Sequence, residues 1–174
     1  VQISPHLINV LSDNLEAAKE VRLLPANIAA VTRKLYAVVP DVFDFDNDGD
    51  LDLSSADYTP HNKLYLFESD GAGNFRKHLI QENEPTRIER HLVGDIDGDG
   101  DLDVVIVKNL NGHVLWFENS GSPTDGKLWK RHVVTTNLPG AYDVALADFN
   151  GDGRLDVAGS SWILGNQFAW FENN

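Results

Sequence analysis

Short apolar runs separated by polar, glycine-containing breaks make up most of this chain. Leu64-Tyr65-Leu66-Phe67, Val114-Leu115-Trp116-Phe117 and Phe168-Ala169-Trp170-Phe171 each end in a glutamate followed by Ser or Asn. A second type of run, Phe75-Arg76-Lys77-His78-Leu79-Ile80 and Trp129-Lys130-Arg131-His132-Val133-Val134, follows the first two. A third, such as Leu102-Asp103-Val104-Val105-Ile106-Val107, is rich in β-branched residues. Runs of this length and composition, bounded by turn formers, predict β-strands.

The runs repeat, and an aspartate-dense loop repeats with them. Loops begin at Asp44, Asp95 and Asp148, roughly fifty residues apart. Each unit reads strand, acidic loop, strand, turn, strand, glycine-containing loop, strand. Four short strands per repeat predict an all-β chain built of β-propeller blades. The expected partition is blade 1 over 35–80, blade 2 over 87–134 and blade 3 over 140–174, within a single domain 1–174. The third unit lacks a fourth strand after its Trp-Phe-Glu-Asn run. Ile3-Ser4-Pro5-His6-Leu7-Ile8 matches the pattern of the two outer strands, so residues 1–10 are expected to be a closing strand. Between it and the first loop, 11–34 reads as a short helical insertion, with Ser12 or Asp13 as N-cap, Leu15, Ala18, Val21 and Arg22 at helical spacing, and Pro25 as a stop.

Within each nine-residue loop, oxygen-bearing side chains stand at positions 1, 3, 5 and 9, glycine at 6, leucine at 8 and an apolar residue at 2. Alternate residues of a tight turn can aim carboxylates at one point, and hard oxygens are what Ca²⁺ selects. Position 7 is Asp50, Asp101 and Arg154, so its side chain changes sign freely and its carbonyl is the expected donor. Gly49, Gly100 and Gly153 are expected at positive φ. Positions 2 and 8 are expected to pin each loop to a core. An EF-hand is excluded. It needs glutamate at position 12, where this chain has Ser55, Ile106 and Gly159, and no helices flank the loops.

With these motifs the chain resembles the FG-GAP/VCBS repeat family, whose members build calcium-binding β-propellers, the integrin α-subunit head among them. The likeness runs from Tyr36 to Asn174. It implies three Ca²⁺ sites: Asp44, Asp46, Asp48 and Asp52; Asp95, Asp97, Asp99 and Asp103; and Asp148, Asn150, Asp152 and Asp156. The carbonyls of Asp50, Asp101 and Arg154 would join them. The third loop carries less negative charge and is expected to bind most weakly. Family propellers have more blades than three loops supply. The chain is therefore expected either to belong to a longer propeller or to form a homodimer, a six-bladed ring of two copies with Ile3–Ile8 of one beside Phe168–Asn173 of the other.

Charge fits this reading. Of the 27 acidic residues, the loops hold thirteen, so the formal charge of −13 belongs to the metal sites, and nucleic acid is not an expected partner. The chain has no cysteine, hence no disulfide framework, and no methionine, as expected of a processed or truncated chain. No apolar run approaches the ~18 residues of a membrane-spanning helix. Calcium loops of this kind favour a secreted, periplasmic or cell-surface setting.

Other candidates concern recognition of a glycan or protein. Arg87, Glu89, Arg90 and His91 precede the second loop and are expected on an innermost strand, facing a central channel. Tyr58 and Trp162 stand fourteen residues past their loop starts, where an exposed ring offers a flat face to a sugar. His6, His78 and His132 share one repeated position and read as packing, as do Trp116, Trp129 and Trp170. No Ser/His/Asp order, phosphate loop or zinc cluster is present, and no catalytic residue is nominated. The leading expectation is a calcium-stabilised binding or adhesion module. The alternative is a blade set from a secreted polysaccharide lyase or sugar dehydratase.

Overall fold

The apolar runs become strands paired in chain order. The computed structural model describes residues 40–56, 62–82, 84–162 and 166–174. In blade 1, β1 (Asp41–Phe43), β2 (Asp52–Ala56), β3 (Leu64–Ser69) and β4 (Phe75–Gln81) form one antiparallel sheet in that order. Blade 2 repeats it with β5 (Arg90–Gly94), β6 (Asp103–Lys108), β7 (His113–Glu118) and β8 (Lys130–Thr135). In blade 3, β9 (Ala141–Ala147), β10 (Asp156–Ser161) and β11 (Phe168–Phe171) make a sheet of three strands. The expected four-stranded third blade thus shows three among the described residues. The registers superimpose: Leu53, Val104 and Val157 lie opposite Phe67, Phe117 and Phe171. The architecture is all-β and propeller-like. The predicted closing strand 1–10, the helical insertion 11–34 and Tyr58 lie outside the described residues.

Blades touch in chain order, β1 against β5, then β5 and β6 against β9. Two cores fill the seams. One gathers Phe45, Leu64, Leu66, Val104, Ile106, Phe117 and Trp129 between blades 1 and 2. The other gathers Ile96, Val105, Val107, Val114, Val144 and Val157 between blades 2 and 3. The two apolar anchors of each loop divide between these seams. Position 2 faces the following blade, so Phe45 and Ile96 are buried while Phe149 is 49% exposed. Position 8 faces the preceding blade, so Leu102 and Leu155 pack into a seam while Leu51 is 57% exposed. The expectation that both anchors are buried in every loop is therefore corrected at Phe149 and Leu51, the two flanks with no neighbouring blade among the described residues.

The tryptophans also divide. Trp129 is buried beside Phe45, 6.4 Å between rings across the seam. Trp116 stacks on His132 of its own blade at 4.0 Å, and Trp170 is 48% exposed on the open flank. Trp116 also packs against the core between blades 2 and 3, so packing between blades describes Trp129 and Trp116 and not Trp170.

One polar hub ties blade 1 to blade 2. Glu84, on the connection between them, pairs with the fully buried Lys108 of β6 and accepts from Arg131 Nε of β8 at 2.9 Å. Burial alone would push the Glu84 carboxyl up, but the two cations together outweigh it and hold the group below its usual range. Burial also lowers the Lys108 ammonium, against the opposing pull of Glu84. Removing the acid would leave a buried cation alone, a change that costs about 3–5 kcal/mol. Glu84→Gln should lower the stability measured by urea unfolding by that order, while Lys130→Gln, whose ion pair is exposed, should change it by less than about 1 kcal/mol.

Candidate metal centre

Each acidic loop follows the innermost strand of its blade and feeds the next strand, so all three lie at one end of the blades. Their backbones share one shape. Position 6 has φ of 94°, 97° and 89° at Gly49, Gly100 and Gly153. Position 4 is left-handed as well, at Asn47 (61°), Gly98 (78°) and Gly151 (80°). The sequence carried that signal, since only Asn and Gly fill position 4, and both adopt this backbone readily.

The carboxylates hold these turns through the chain's own amides. Position 1 accepts from the position-6 N–H in every loop: Asp44 from Gly49 at 3.0 Å, Asp95 from Gly100 at 3.1 Å and Asp148 from Gly153 at 2.9 Å. Position 5 accepts from position 7: Asp48 from Asp50 at 2.8 Å, Asp99 from Asp101 and Asp152 from Arg154 at 2.9 Å. As a result, oxygens of Asp44, Asp46 and Asp48 lie within 4.8 Å of one another, and so do those of Asp95, Asp97 and Asp99. Asp44 Oδ1 is buried with no hydrogen-bond partner among the described residues. Desolvation and the neighbouring carboxylates push Asp46 and Asp97 above the ordinary range, against the hydrogen bonds from Asp48 and Asp99.

Position 9 stands apart from that cluster. Asp52, Asp103 and Asp156 are buried, and each carboxylate bridges two strands of the blade. One oxygen accepts from the position-2 N–H: Phe45 at 3.0 Å, Ile96 at 2.9 Å and Phe149 at 3.0 Å. The other accepts from the residue after the strand-three glutamate: Ser69 at 2.8 Å, Asn119 at 2.9 Å and Asn173 at 2.8 Å. Sequence reading nominated these residues only as metal donors and missed the latch.

The position-7 carboxylates of Asp50 and Asp101 lie over the turns after β3 and β7, where Gly71 (φ 64°) and Gly121 (φ 78°) take a left-handed backbone that favours glycine. In the third loop Arg154 donates from Nε to the Asn173 carbonyl and pairs with Asp152 at 2.9 Å. Asn150 also donates to Asp152 and to Glu172. The third loop therefore neutralises part of its own charge, which the first two do not.

The recognition candidates gather at the opposite end of the blades. Arg90 opens β5, Tyr142 lies at the start of β9, and Trp162 follows β10. The Arg90 guanidinium lies 5.1 Å over the Tyr142 ring, and Tyr142 lies 5.1 Å from Trp162. Trp162 is 56% exposed. Tyr142 was not nominated, although it occupies the place in blade 3 that the charged stretch occupies in blade 2. The structure places Glu89 and His91 inside. Glu89 pairs with Arg87, and His91 meets Ser54 Oγ at 3.0 Å with Asp41 at 3.8 Å. Burial lowers His91 to about 4 and raises Asp41 to about 6.

A family model described as an FG-GAP-like repeat matches residues 44–106 and 95–159, more than half of the chain. Each match starts on the first aspartate of one loop and runs through the next. No curated protein matches the chain.

Burial raises Asp103 to about 7, despite the two amides that favour its charged form. The folded chain then holds a proton between the ordinary value of 3.8 and about 7 that the unfolded chain has lost. That contribution is present below the unfolded value and disappears as pH rises towards 7, by about 1.4 kcal/mol per pH unit. In chelator, stability relative to Asp103→Asn should therefore rise as pH falls from 7 to 5. Parallel urea-unfolding midpoints for the two proteins across that range would contradict this.

Proposed function

The chain belongs to the FG-GAP-like repeat family, and from that premise we propose that it is a calcium-stabilised, propeller-like module that recognises a glycan or protein. The observation that carries the calcium reading is the convergence of three carboxylates within 4.8 Å in each of the first two loops. Two unit charges at that separation repel by about 3 kcal/mol in a near-surface dielectric. A divalent cation would reverse the sign of that energy. The donors are all oxygen, which suits a hard cation, and the buried, unpartnered Asp44 Oδ1 is a donor in want of a partner.

Asp44, Asp46 and Asp48 would hold the first ion and Asp95, Asp97 and Asp99 the second, with lone pairs of Asp52 and Asp103 and the carbonyls of Asp50 and Asp101 completing the shell. Asp148, Asn150, Asp152, Asp156 and the Arg154 carbonyl would hold the third most weakly, because Arg154 already compensates Asp152. The ion supplies charge neutralisation, and the chain's own amides shape the turn around it. Such sites suit a calcium-rich setting, secreted, periplasmic or on the cell surface. Recognition is assigned to the Arg90–Tyr142–Trp162 ladder at the far end, where an exposed indole offers a sugar an apolar face and the guanidinium an anchor for oxygen.

Chelation should lower the melting temperature, each site held at a hundredfold excess of calcium over its Kd contributing about 2.7 kcal/mol. Asp97→Ala or Asp99→Ala should lose part of this alone, and magnesium should restore little. Trp162→Ala and Arg90→Ala should abolish binding on a glycan array and leave the calcium-dependent melt intact. An identical melting curve with and without chelator would sink the calcium reading. Loss of fold along with binding in both variants would return the ladder to packing.

A further inference from the structure

The third strand of every blade leads to a glutamate, Glu68, Glu118 and Glu172. The residue after it gives its amide to the buried aspartate at position 9, so the glutamate is held beside its acidic loop. In blade 3 the contact with the loop is direct. Asn150 Nδ2 at position 3 donates to Glu172 Oε1 at 3.0 Å. Blades 1 and 2 keep the glutamate but put a carboxylate at position 3, Asp46 and Asp97. Desolvation is the first cause that lifts those two carboxyls above the ordinary range, and Glu68 and Glu118 are among the charges that add to it. Like charges thus stand together where blade 3 has a hydrogen bond.

The same glutamates hold the last strand of the sheet. His78 Nε2 of β4 lies 2.6 Å from Glu68 Oε2, and His132 Nε2 of β8 lies 2.6 Å from Glu118 Oε2. An ionised carboxylate only accepts, so each histidine is the donor. The registers agree, with His78 opposite Leu66 and His132 opposite Trp116. Lys130 Nζ shares the Glu118 oxygen at 2.8 Å. Among the described residues Glu68 makes no ion pair with a lysine or arginine, and neither glutamate accepts a hydrogen bond at Oε1.

We propose, on the calcium reading of the loops, that Glu68 and Glu118 are positioning residues of the first two cation sites. Each adds charge from outside the nine-residue loop and ties the filling of that loop to the outer strand. Asp44 Oδ1, buried without a partner, and the all-oxygen donor set fit a hard cation in such a loop. Once the repulsion at position 3 is balanced, the glutamate stays on its histidine and the outer strand is held. While it is unbalanced, the glutamate gains by turning away, and the histidine loses its acceptor. Blade 2 should feel this less, because Lys130 already balances part of the Glu118 charge.

Glu68→Gln separates the charge from the hydrogen bond, since the amide oxygen can still accept from His78. Calorimetric titration with calcium should show one site weakened at least severalfold in Glu68→Gln and the others unchanged. Glu118→Gln should weaken its own site by less. In chelator, Glu68→Gln should melt above the unmodified chain, because a like-charge pair is gone, and calcium should raise its melting temperature by less. Amide hydrogen exchange reads the tie to the strand. Calcium should slow exchange along β4 severalfold more in the unmodified chain than in Glu68→Gln, with β6 and β7 alike in both. Calcium binding of equal affinity in the two proteins would overturn this role and leave the calcium reading standing. The same loss of melting temperature in Glu68→Gln with and without calcium would also overturn it, as the mark of plain packing. No binding by either protein would overturn both the role and the calcium reading.

Discussion

A buried aspartate that bridges two strands is the constraint on which the rest of this structure depends. Asp52, Asp103 and Asp156 each take one amide from the start of an acidic loop and one from the end of the third strand. A buried carboxyl left without partners would cost more than an ordinary hydrogen bond returns, so the two amides are needed in place. Each carboxylate therefore fixes a loop of nine residues against its sheet with a single side chain. The loop then has little freedom left, and its remaining carboxylates must crowd together. The repulsion is local and built in, and the proposed cation is what relieves it.

From that anchor the array is built by handing contacts forward. A loop's second residue packs on the next blade and its eighth on the previous one. One nine-residue segment thus sets both the charge cluster and the two seams beside it. Glu84, Lys108 and Arg131 add a polar tie between blades 1 and 2 that apolar packing alone would not orient. The same directionality explains why Leu51 and Phe149, equivalent to buried residues elsewhere, face solvent. Among the described residues they stand at the two ends of a one-dimensional series. The acidic loops gather at one end of the blades and the Arg90–Tyr142–Trp162 ladder at the other, so the proposed metal and recognition sites are separated by the length of a strand.

Much of this was legible in the sequence because it repeats. Three copies of a motif act as an internal comparison, which located the strands, the loops and the turn glycines. What repetition could not reveal was what each aspartate does. Spacing alone makes Asp103 equivalent to Asp97, and only the fold shows that Asp103 reaches the amide of Asn119 on another strand. Burial of Glu89 and His91 was equally hidden, since it depends on Arg87 and on Ser54 of a neighbouring blade. Tyr142 lacked a signal for a different reason: its role comes from Arg90 stacking across the seam. Position 4 was legible in Asn47, Gly98 and Gly151, a pattern that needs positive φ rather than a ligand.

The central claim is that the acidic loops are cation sites shaped by the chain before the ion arrives. Calorimetric titration of the chelator-treated protein with calcium tests it most directly. The account predicts two sites of higher affinity, lost one at a time in Asp46→Ala and Asp97→Ala, and a third, weaker site in the loop that carries Arg154. No heat on titration, or the same heat after both substitutions, would contradict it.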